Sequence, residues 1–417
     1  MNKIIESIQK VLTPVGNWMN SNKEVCALRD GMMASIPLTI VGAIFLIVMQ
    51  FPYLDTFAPG VYTWLMDNCW HIYVCTFSVI ALTMLLATAY SYSNQLGIDK
   101  LYGVISAVVA FLIVTPIDGS ISLENIGPNG MFVALIVSLL AVRIFYFVIS
   151  KNIVIKLPEQ VPENVSQSFI SILPIATVII TFWIVRVIFI NTPYMYLHNF
   201  INTVLAEPLM KVGTGLGGAL VVMMIQQILW WFGIHGSNVV MTVYQPVLLS
   251  AAAANIEASL LGQPLPYVIS YAWWFTFTTM FNLSLPLALL VGGKSKRCRS
   301  VGKMSLVPAI FCIHEPVLFG LPVVLNPLLF IPFTIGQCLQ FTFIYLVSAA
   351  GICPIPTNAI PWTTPPIIGG LLATNFNILG AVFQVAVLAV GVIILLPFIK
   401  VLDKQYLQEE KNQPQEN

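Results

Sequence analysis

The sequence predicts an all-α integral membrane protein, and its composition and the length of its apolar runs carry that prediction. Of the 417 residues, 58% are hydrophobic and only 8% are charged, whereas a soluble domain carries about 25% charged residues. Mean hydropathy is +0.88. Apolar stretches of about 20 residues, enough to cross ~30 Å of hydrocarbon as a helix, recur from Gly31 almost to the C-terminus. Such stretches are too long and uninterrupted for barrel strands, so the spans are predicted to be helices.

The N-terminal segment before the first span has no long apolar run and no small-residue cleavage site, so no signal peptide is predicted. Isoleucine, leucine and valine recur at helical spacing between Ile4 and Val15, with lysines between them. This pattern is typical of a helix that lies on the inner membrane surface. A solvated cap is the alternative interpretation.

About ten transmembrane helices follow from the apolar runs between polar residues, glycines and prolines. The predicted spans are residues 31–51, 72–92, 101–117, 131–150, 169–190, 213–232, 239–254, 267–291, 317–348 and 378–399. The seventh run is short, and the ninth is long and contains three prolines. At least one of these two is therefore expected to be a re-entrant hairpin or a broken helix.

Lysine and arginine positions predict the orientation of these spans, because positive charges accumulate in short cytoplasmic loops. If both termini are cytoplasmic, nearly all basic residues fall on the inner side. Only Arg186 and Lys211 then fall outside. The charge distribution therefore favours cytoplasmic N- and C-termini.

The segment 151–168 is the best internal boundary, since its charges and prolines separate five N-terminal spans from the rest. We predict an N-terminal cap and scaffold in residues 1–168, to which the span at 169–190 also belongs. A transport domain with the substrate site is predicted for residues 191–400. Residues 401–417 are predicted to form a polar cytoplasmic tail.

The cysteine pattern predicts neither a metal site nor a disulfide framework, because the seven cysteines are scattered without a CxxC pair. Cys298 lies in the basic run KSKRCRS without the glycine-rich loop that would surround a phosphocysteine with backbone N–H groups. The chain lacks a GxxxxGK[ST] loop, which disfavours an ATP-driven pump. No cofactor and no nucleic-acid partner are expected.

Polar residues that interrupt apolar segments cluster in the C-terminal half, in three stretches. These are QQILWWFGIHGSNVV (226–240), FCIHEPVLFGLPVVLNP (311–327) and CPIPTNAIPWTTPPIIGG (353–370). An ionisable group in hydrocarbon is costly unless it faces a cavity, so it is a functional candidate. A sugar site needs carboxylate and imidazole groups for hydroxyls, amides, and an aromatic plane for the pyranose. The predicted substrate-binding residues are His235, Glu315, His314, Asn238, Trp362 and Thr363.

Structural roles are the alternatives for these residues. His235 can be a packed, hydrogen-bonded histidine, and His314 and Asn238 can join helices through hydrogen bonds. Trp362 can be an interfacial anchor. Because His235 and Glu315 both lie at helix breaks, we expect their side chains to share one cavity, with Trp362 or Thr363 at its rim.

Three motifs carry a resemblance to a known family. GIHG followed by Ser237 and Asn238, the EPxxFGLPxVLNP string of residues 315–327, and PWTTPP at 361–366 resemble the lactose/cellobiose/diacetylchitobiose branch of phosphotransferase IIC permeases. The N-terminal segments GNWMNSNKEVCALRDGMMASIPLTIVGAIF and IKLPEQVPENVSQSF also resemble that branch. One position departs from it, because the family usually has asparagine where this chain has His314.

The resemblance implies ten helices plus two re-entrant hairpins. It also implies a homodimer built through the five N-terminal spans and a C-terminal transport domain that moves as an elevator. The residues that match the family's histidine and glutamate, His235 and Glu315, would hold the 6-hydroxyl of a β-linked disaccharide. That hydroxyl accepts phosphate from a cysteine on a IIB protein, and Glu315 is a candidate general base.

The resemblance also implies separate IIA and IIB polypeptides, since this chain shows neither a IIB cysteine loop nor a IIA histidine, and no phosphorylated residue is expected in it. The basic loop at 292–303 is a candidate docking site for one of them, although a role as a topology determinant is the favoured interpretation. A sugar–cation symporter is the main alternative function, because broken helices and a buried carboxylate suit it as well. A channel or a receptor accounts poorly for Glu315.

Overall fold

The structure is a computed structural model that describes residues 18, 21–49, 51, 53–117, 121–158, 160–321 and 323–412. The helix that was considered between Ile4 and Val15 lies outside these residues. The described chain is helical, with one isolated bridge between Ile117 and Ile121.

Among the described residues, the N-terminal half contains eight α-helices. They are α1 Lys23–Met49, α2 Leu54–Phe57, α3 Pro59–Phe77, α4 Ile80–Leu96, α5 Lys100–Val114, α6 Leu123–Ile126, α7 Met131–Ser150 and α8 Glu163–Ile190. The C-terminal half contains α9 Leu197–Ile201, α10 Glu207–Gly213, α11 Leu216–Trp231, α12 Gly236–Leu260, α13 Tyr271–Phe277, α14 Met280–Gly292, α15 Lys296–Ile310, α16 Glu315–Gly320, α17 Pro327–Ala349, α18 Ile368–Ala373 and α19 Ile378–Asn412.

The described helices confirm the predicted fold class. Eight spans of the described structure are long and apolar enough to cross a membrane, when helices that continue one another are counted as one span. The number is nine if the bent pair formed by α9–α10 and α11 is also counted as one span. Helix α5 is a shorter apolar helix of 15 residues. All-helical spans follow from the bilayer, in which every backbone polar group needs a partner within the chain.

Close helix contacts at glycines hold the N-terminal half together. A Cβ on Gly31 of α1 would overlap the Thr88 hydroxyl of α4, and a Cβ on Gly103 of α5 would overlap the Ser93 hydroxyl. Small residues at such crossings let helix backbones approach within a membrane, where packing replaces the hydrophobic effect. Arg186 of α8 donates to the carbonyls of Ile113 and Thr115, which joins α8 to the end of α5.

Helix α19 extends further than the predicted span 378–399, because its last turns are packed rather than solvated. Leu402 and Tyr406 are buried in the same apolar cluster as Cys298. The Asp403 carboxylate accepts hydrogen bonds from the backbone N–H groups of Lys294 and Ser295, at 2.9 and 2.8 Å. The start of the segment assigned to a polar tail is therefore a helix that holds the loop before α15.

The break that was expected in one of the runs 239–254 and 317–348 is confirmed in the run 317–348. Helix α16 ends at Gly320, and α17 begins only at Pro327. Proline suits the first helical position, and the Asn326 side chain caps the new helix by accepting from the Leu328 N–H at 3.0 Å. The run at 239–254 is longer than predicted, since α12 spans Gly236–Leu260.

The irregular segment between α17 and α18 is supported by one buried glutamine. The Gln384 side-chain oxygen accepts from the N–H groups of Ile367 and Gly370, at 2.8 and 2.7 Å. Its amide donates to the Thr276 carbonyl at 2.8 Å. One side chain on α19 therefore forms hydrogen bonds with backbone groups at the start of α18 and on α13 that have no partner within their own helix.

Candidate functional site

The turn between α11 and α12 orients His235. Gly233 has a left-handed φ of 78°, and a Cβ on Gly236 would overlap the carbonyl oxygen of Gln226. Both positions therefore require glycine. His235 then caps α12, because its Nδ1 accepts the Asn238 backbone N–H at 3.2 Å. A neutral ring that accepts at Nδ1 carries its proton on Nε2, so Nε2 is a hydrogen-bond donor.

The turn between α15 and α16 orients Glu315. Cys312 adopts a left-handed φ of 62°, and the Asn282 side-chain amide donates to its carbonyl at 2.8 Å. Glu315 is the first residue of α16 and is followed by Pro316. A carboxylate at the start of a helix lies near the positive end of the peptide dipoles.

The two turns bring His235 and Glu315 together, which confirms the predicted proximity. His235 Nε2 lies 3.9 Å from Glu315 Oε1, and 45% and 42% of the two side chains are exposed. This separation is too long for a direct hydrogen bond. Both groups therefore remain available to a third partner that can reach them.

Trp230 is a central residue of this site that the sequence analysis did not select. Its ring centroid lies 4.2 Å from that of His235 and 4.6 Å from that of His314. Its indole N–H donates to the Ser237 hydroxyl at 3.2 Å. Trp230 therefore holds both histidines from one side. Its position in the stretch 226–240 was the available signal, but tryptophan there is equally typical of packing.

Behind these rings lies a small polar cavity of about 50 Å³, bordered by Gln226, Gln227, Asn282, His314 and Gln337. The side-chain oxygens of Gln226 and Gln227 are buried and have no hydrogen-bond partner among the described residues. The cavity is large enough for a few water molecules and too small for a sugar ring. His314 faces this cavity as well as Trp230.

The remaining predicted residues lie near the site with weaker connections. Asn238 is exposed at the start of α12. The PWTTPP segment reaches the turn of Glu315, since the Thr364 carbonyl lies 4.0 Å from Cys312 Sγ. Trp362 is 45% exposed. In the described structure, Trp362 and Thr363 make no hydrogen bond or ring contact with His235 or Glu315.

Cys298 is a buried thiol at the start of α15. Burial raises the pKa of Cys298 to about 11. A thiol that stays protonated at neutral pH is a poor nucleophile. Its environment therefore does not suit a phosphoryl acceptor.

Comparison with known proteins identifies a family that this chain resembles over most of its length. Residues 29–336 match the family described as "Phosphotransferase system, EIIC". The chain is 33% identical to the lichenan permease IIC component of Bacillus subtilis, over 99% of this chain and 96% of that protein. It is 32% identical to the cellobiose-specific EIIC component of Geobacillus stearothermophilus, over 99% and 97% of the two chains.

A fused relative and a solved structure extend the comparison. The lactose-specific EIICB component of Lacticaseibacillus casei is 31% identical over 99% of this chain, which covers 72% of that protein. The crystal structure of the transporter ChbC, the IIC component from the N,N'-diacetylchitobiose-specific phosphotransferase system, superposes with a TM-score of 0.91 at 31% identity. It covers 97% of this chain, and this chain covers 99% of it.

These matches and the apolar helices define a multi-pass sugar permease of the cell membrane, in the cellobiose, lichenan and chitobiose branch. Such components act on a sugar together with IIA and IIB proteins. The chain belongs to the phosphotransferase system EIIC family.

Proposed function

We propose that this permease binds a β-linked disaccharide of the cellobiose or diacetylchitobiose type and presents its 6-hydroxyl to a separate phosphorylated IIB protein. The observation that carries the proposal is the 3.9 Å separation of His235 Nε2 and Glu315 Oε1. A hydroxyl group needs one donor and one acceptor. The neutral His235 ring offers an N–H, and an ionised Glu315 carboxylate offers only acceptor oxygens.

The same arrangement suits phosphoryl transfer. The 6-hydroxyl oxygen attacks the phosphorus of a phosphocysteine on the partner, the S–P bond breaks, and an O–P bond forms. Glu315 takes the hydroxyl proton as general base, and the cysteine leaves as a thiolate. The sugar phosphate is anionic, so it does not return through the membrane.

The other predicted residues complete the substrate site. His314 binds the substrate beside Glu315, and Asn238 offers an exposed amide near the start of α12. Trp230, which was not among the predicted residues, packs against His235 and His314. Trp362 and Thr363 lie on the segment that touches the turn of Glu315 through Thr364. We assign Trp362 the aromatic contact with a pyranose ring and Thr363 a hydroxyl at the rim.

The partners follow from the same proposal. The lactose EIICB relatives, of which this chain covers 72% and 75% in two cases, carry IIC and IIB in one name, which supports IIB as the partner that supplies the phosphoryl group. We further propose a homodimer built through the five N-terminal spans, around which residues 191–400 move as an elevator. Helix α8 is the least buried of the candidate spans, which leaves an apolar face for lipid or a second copy.

The decisive experiment separates this function from a sugar–cation symporter. Right-side-out membrane vesicles that contain the permease are loaded with purified IIA, IIB, phosphoenolpyruvate and the soluble phosphocarrier proteins that pass its phosphoryl group to IIA, and radiolabelled cellobiose is offered outside. We expect sugar phosphate to accumulate only when all of these components are present. Accumulation of free cellobiose driven by an imposed Na⁺ or H⁺ gradient, without phosphoenolpyruvate, would replace the proposal with symport.

A further inference from the structure

A large cavity in the described structure lies away from the His235 and Glu315 site. It has a volume of about 750 Å³ and is bordered by the N-terminal half, the bend between α10 and α11, and the loop before α13. Its polar border includes Asn129, Asn202, Glu207, Lys211, Tyr267 and Tyr345. A volume of this size suits a ligand as large as a disaccharide.

Two helices connect this cavity to the reaction site. Helix α11 starts beside the cavity residue Gly215 and ends next to Trp230, and its 16 residues span about 24 Å. Helix α12 starts after His235 and borders the cavity at Ser250. The cavity therefore lies at the far end of both helices from Glu315, and it is a separate place.

The charged groups of the cavity are free to bind a ligand. Glu207 and Lys211 lie one helical turn apart on α10 and are both exposed. Neither of them belongs to an ion pair in the described part of the chain. An acceptor and a donor side by side suit neighbouring sugar hydroxyls, and the rings of Tyr267 and Tyr345 offer apolar faces for a pyranose.

The walls are held in position before any ligand arrives. The Asn255 side chain pins the Tyr267 backbone by accepting its N–H at 3.0 Å and donating to its carbonyl at 2.7 Å. The Tyr244 hydroxyl donates to the Gly213 carbonyl at 2.6 Å, which fixes the end of α10. Residues Asn202–Ala206 form a π-helix at the cavity wall, and such segments occur frequently at functional sites.

The distribution of basic residues predicts that the cavity opens outward. Lys211 is one of only two basic residues that fall outside when the termini are cytoplasmic. The basic loop at 292–303 falls on the opposite side. A ligand that comes from outside the cell would therefore meet this cavity before it meets Glu315.

We propose that this cavity is an outer sugar-binding site, in which Glu207, Lys211 and the two tyrosines take up a β-linked oligosaccharide before it moves to His235 and Glu315. The inference rests on the proposed function and adds a second binding site to it. Because the second site lies on the outer route only, it serves uptake and not the phosphoryl transfer itself.

The test compares the two sides of the membrane. Right-side-out vesicles loaded with IIA, IIB, phosphoenolpyruvate and the soluble phosphocarrier proteins take up radiolabelled cellobiose from outside. Inside-out vesicles supplied with the same components phosphorylate cellobiose offered at the cytoplasmic face. Glu207→Gln and Lys211→Met should each raise KM for uptake about tenfold, through loss of a charge-assisted hydrogen bond. Phosphorylation in inside-out vesicles should keep the wild-type KM. Glu163→Gln, an exposed acid at the start of α8, is the matched control.

Three results would overturn the inference. Unchanged KM for uptake in both variants would show that the cavity does not bind the sugar during uptake. A parallel rise of KM in both kinds of vesicle, in variants that keep wild-type expression and thermal stability, would show that Glu207 and Lys211 do not act on the outer route alone. Wild-type vesicles without phosphoenolpyruvate-dependent activity in either orientation would instead remove the proposed function itself.

Discussion

At the scale of single residues, the site depends on which atoms of His235 and Glu315 are already used. The backbone of Asn238 occupies His235 Nδ1, which leaves Nε2 as the donor toward Glu315. In the described structure the two side chains face each other at 3.9 Å without a direct hydrogen bond. A sugar hydroxyl placed between them would satisfy both groups, and this is the physical basis of the two residue-scale predictions.

Glu315→Gln is expected to reduce phosphorylation-coupled uptake at least about 100-fold, because an amide cannot accept the hydroxyl proton. Membrane expression should stay near normal, since the side chain is partly exposed and isosteric with the carboxylate. The measurement is phosphoenolpyruvate-dependent uptake of cellobiose, normalised to permease in the membrane. Wild-type transport by this variant would disprove the assignment of Glu315.

His235→Ala should weaken sugar binding about tenfold or more, because it removes the N–H donor of the pair. The variant should keep its oligomeric state, as the imidazole is almost half exposed. Isothermal titration calorimetry on purified protein measures the affinity, and size-exclusion chromatography measures the oligomeric state. Unchanged affinity would favour the packed-histidine interpretation.

At the scale of elements, the proposed functional residues lie in turns between helices, and each turn is held by contacts from other elements. Asn282 of α14 donates to the Cys312 carbonyl in the turn before Glu315. The indole of Trp231 donates to the Asn326 carbonyl at 2.9 Å, which joins the end of α11 to the start of α17. The helices therefore act as supports that present short non-helical segments at one place.

A glycine pair in the α11–α12 region tests this role of the turns. Gly236→Ala should reduce transport about tenfold or more, because its Cβ would push against the Gln226 carbonyl and displace His235. Gly217→Ala is the control, since no atom lies within 4 Å of the added Cβ. Alanine favours the helix over glycine by up to about 1 kcal/mol, so the control should keep or raise thermal stability. Equal transport by the two variants in the vesicle assay would contradict the importance of this turn.

At the scale of the whole molecule, the predicted orientation would place the cavity beside Glu207 and Lys211 on the outer side and the basic loop at 292–303 on the inner side. Cysteine labelling can measure that orientation. Cys75 is the exposed native cysteine and the other six are buried. The Cys75→Ser variant should therefore react little with a maleimide before a new cysteine is introduced. An impermeant maleimide should label Val212→Cys in intact cells and Lys296→Cys only after permeabilisation. The reverse pattern would invert the predicted topology and place the large cavity on the inner side.

The sequence by itself determined the fold class, the family and the three polar stretches. Each of these properties depends on residues that are close together in the sequence. Helix length follows from the length of an apolar run, and each family motif lies within one short segment. The sequence did not predict the helical turns at the C-terminus, and it predicted the break at 317–348 only as one of two alternatives, because a capping side chain such as Asn326 and the packing of Tyr406 override local hydropathy.

Only the tertiary structure decided which polar groups meet. In the folded chain His235 lies beside Glu315, and Trp230 packs against both His235 and His314. Asn282 and Gln384 form hydrogen bonds to turns that are distant from them in sequence. It also formed the large cavity beside Glu207 and Lys211, which no motif marks. Contacts across such distances depend on how the helices pack, and helix packing in a membrane rests on shape and buried hydrogen bonds rather than on composition.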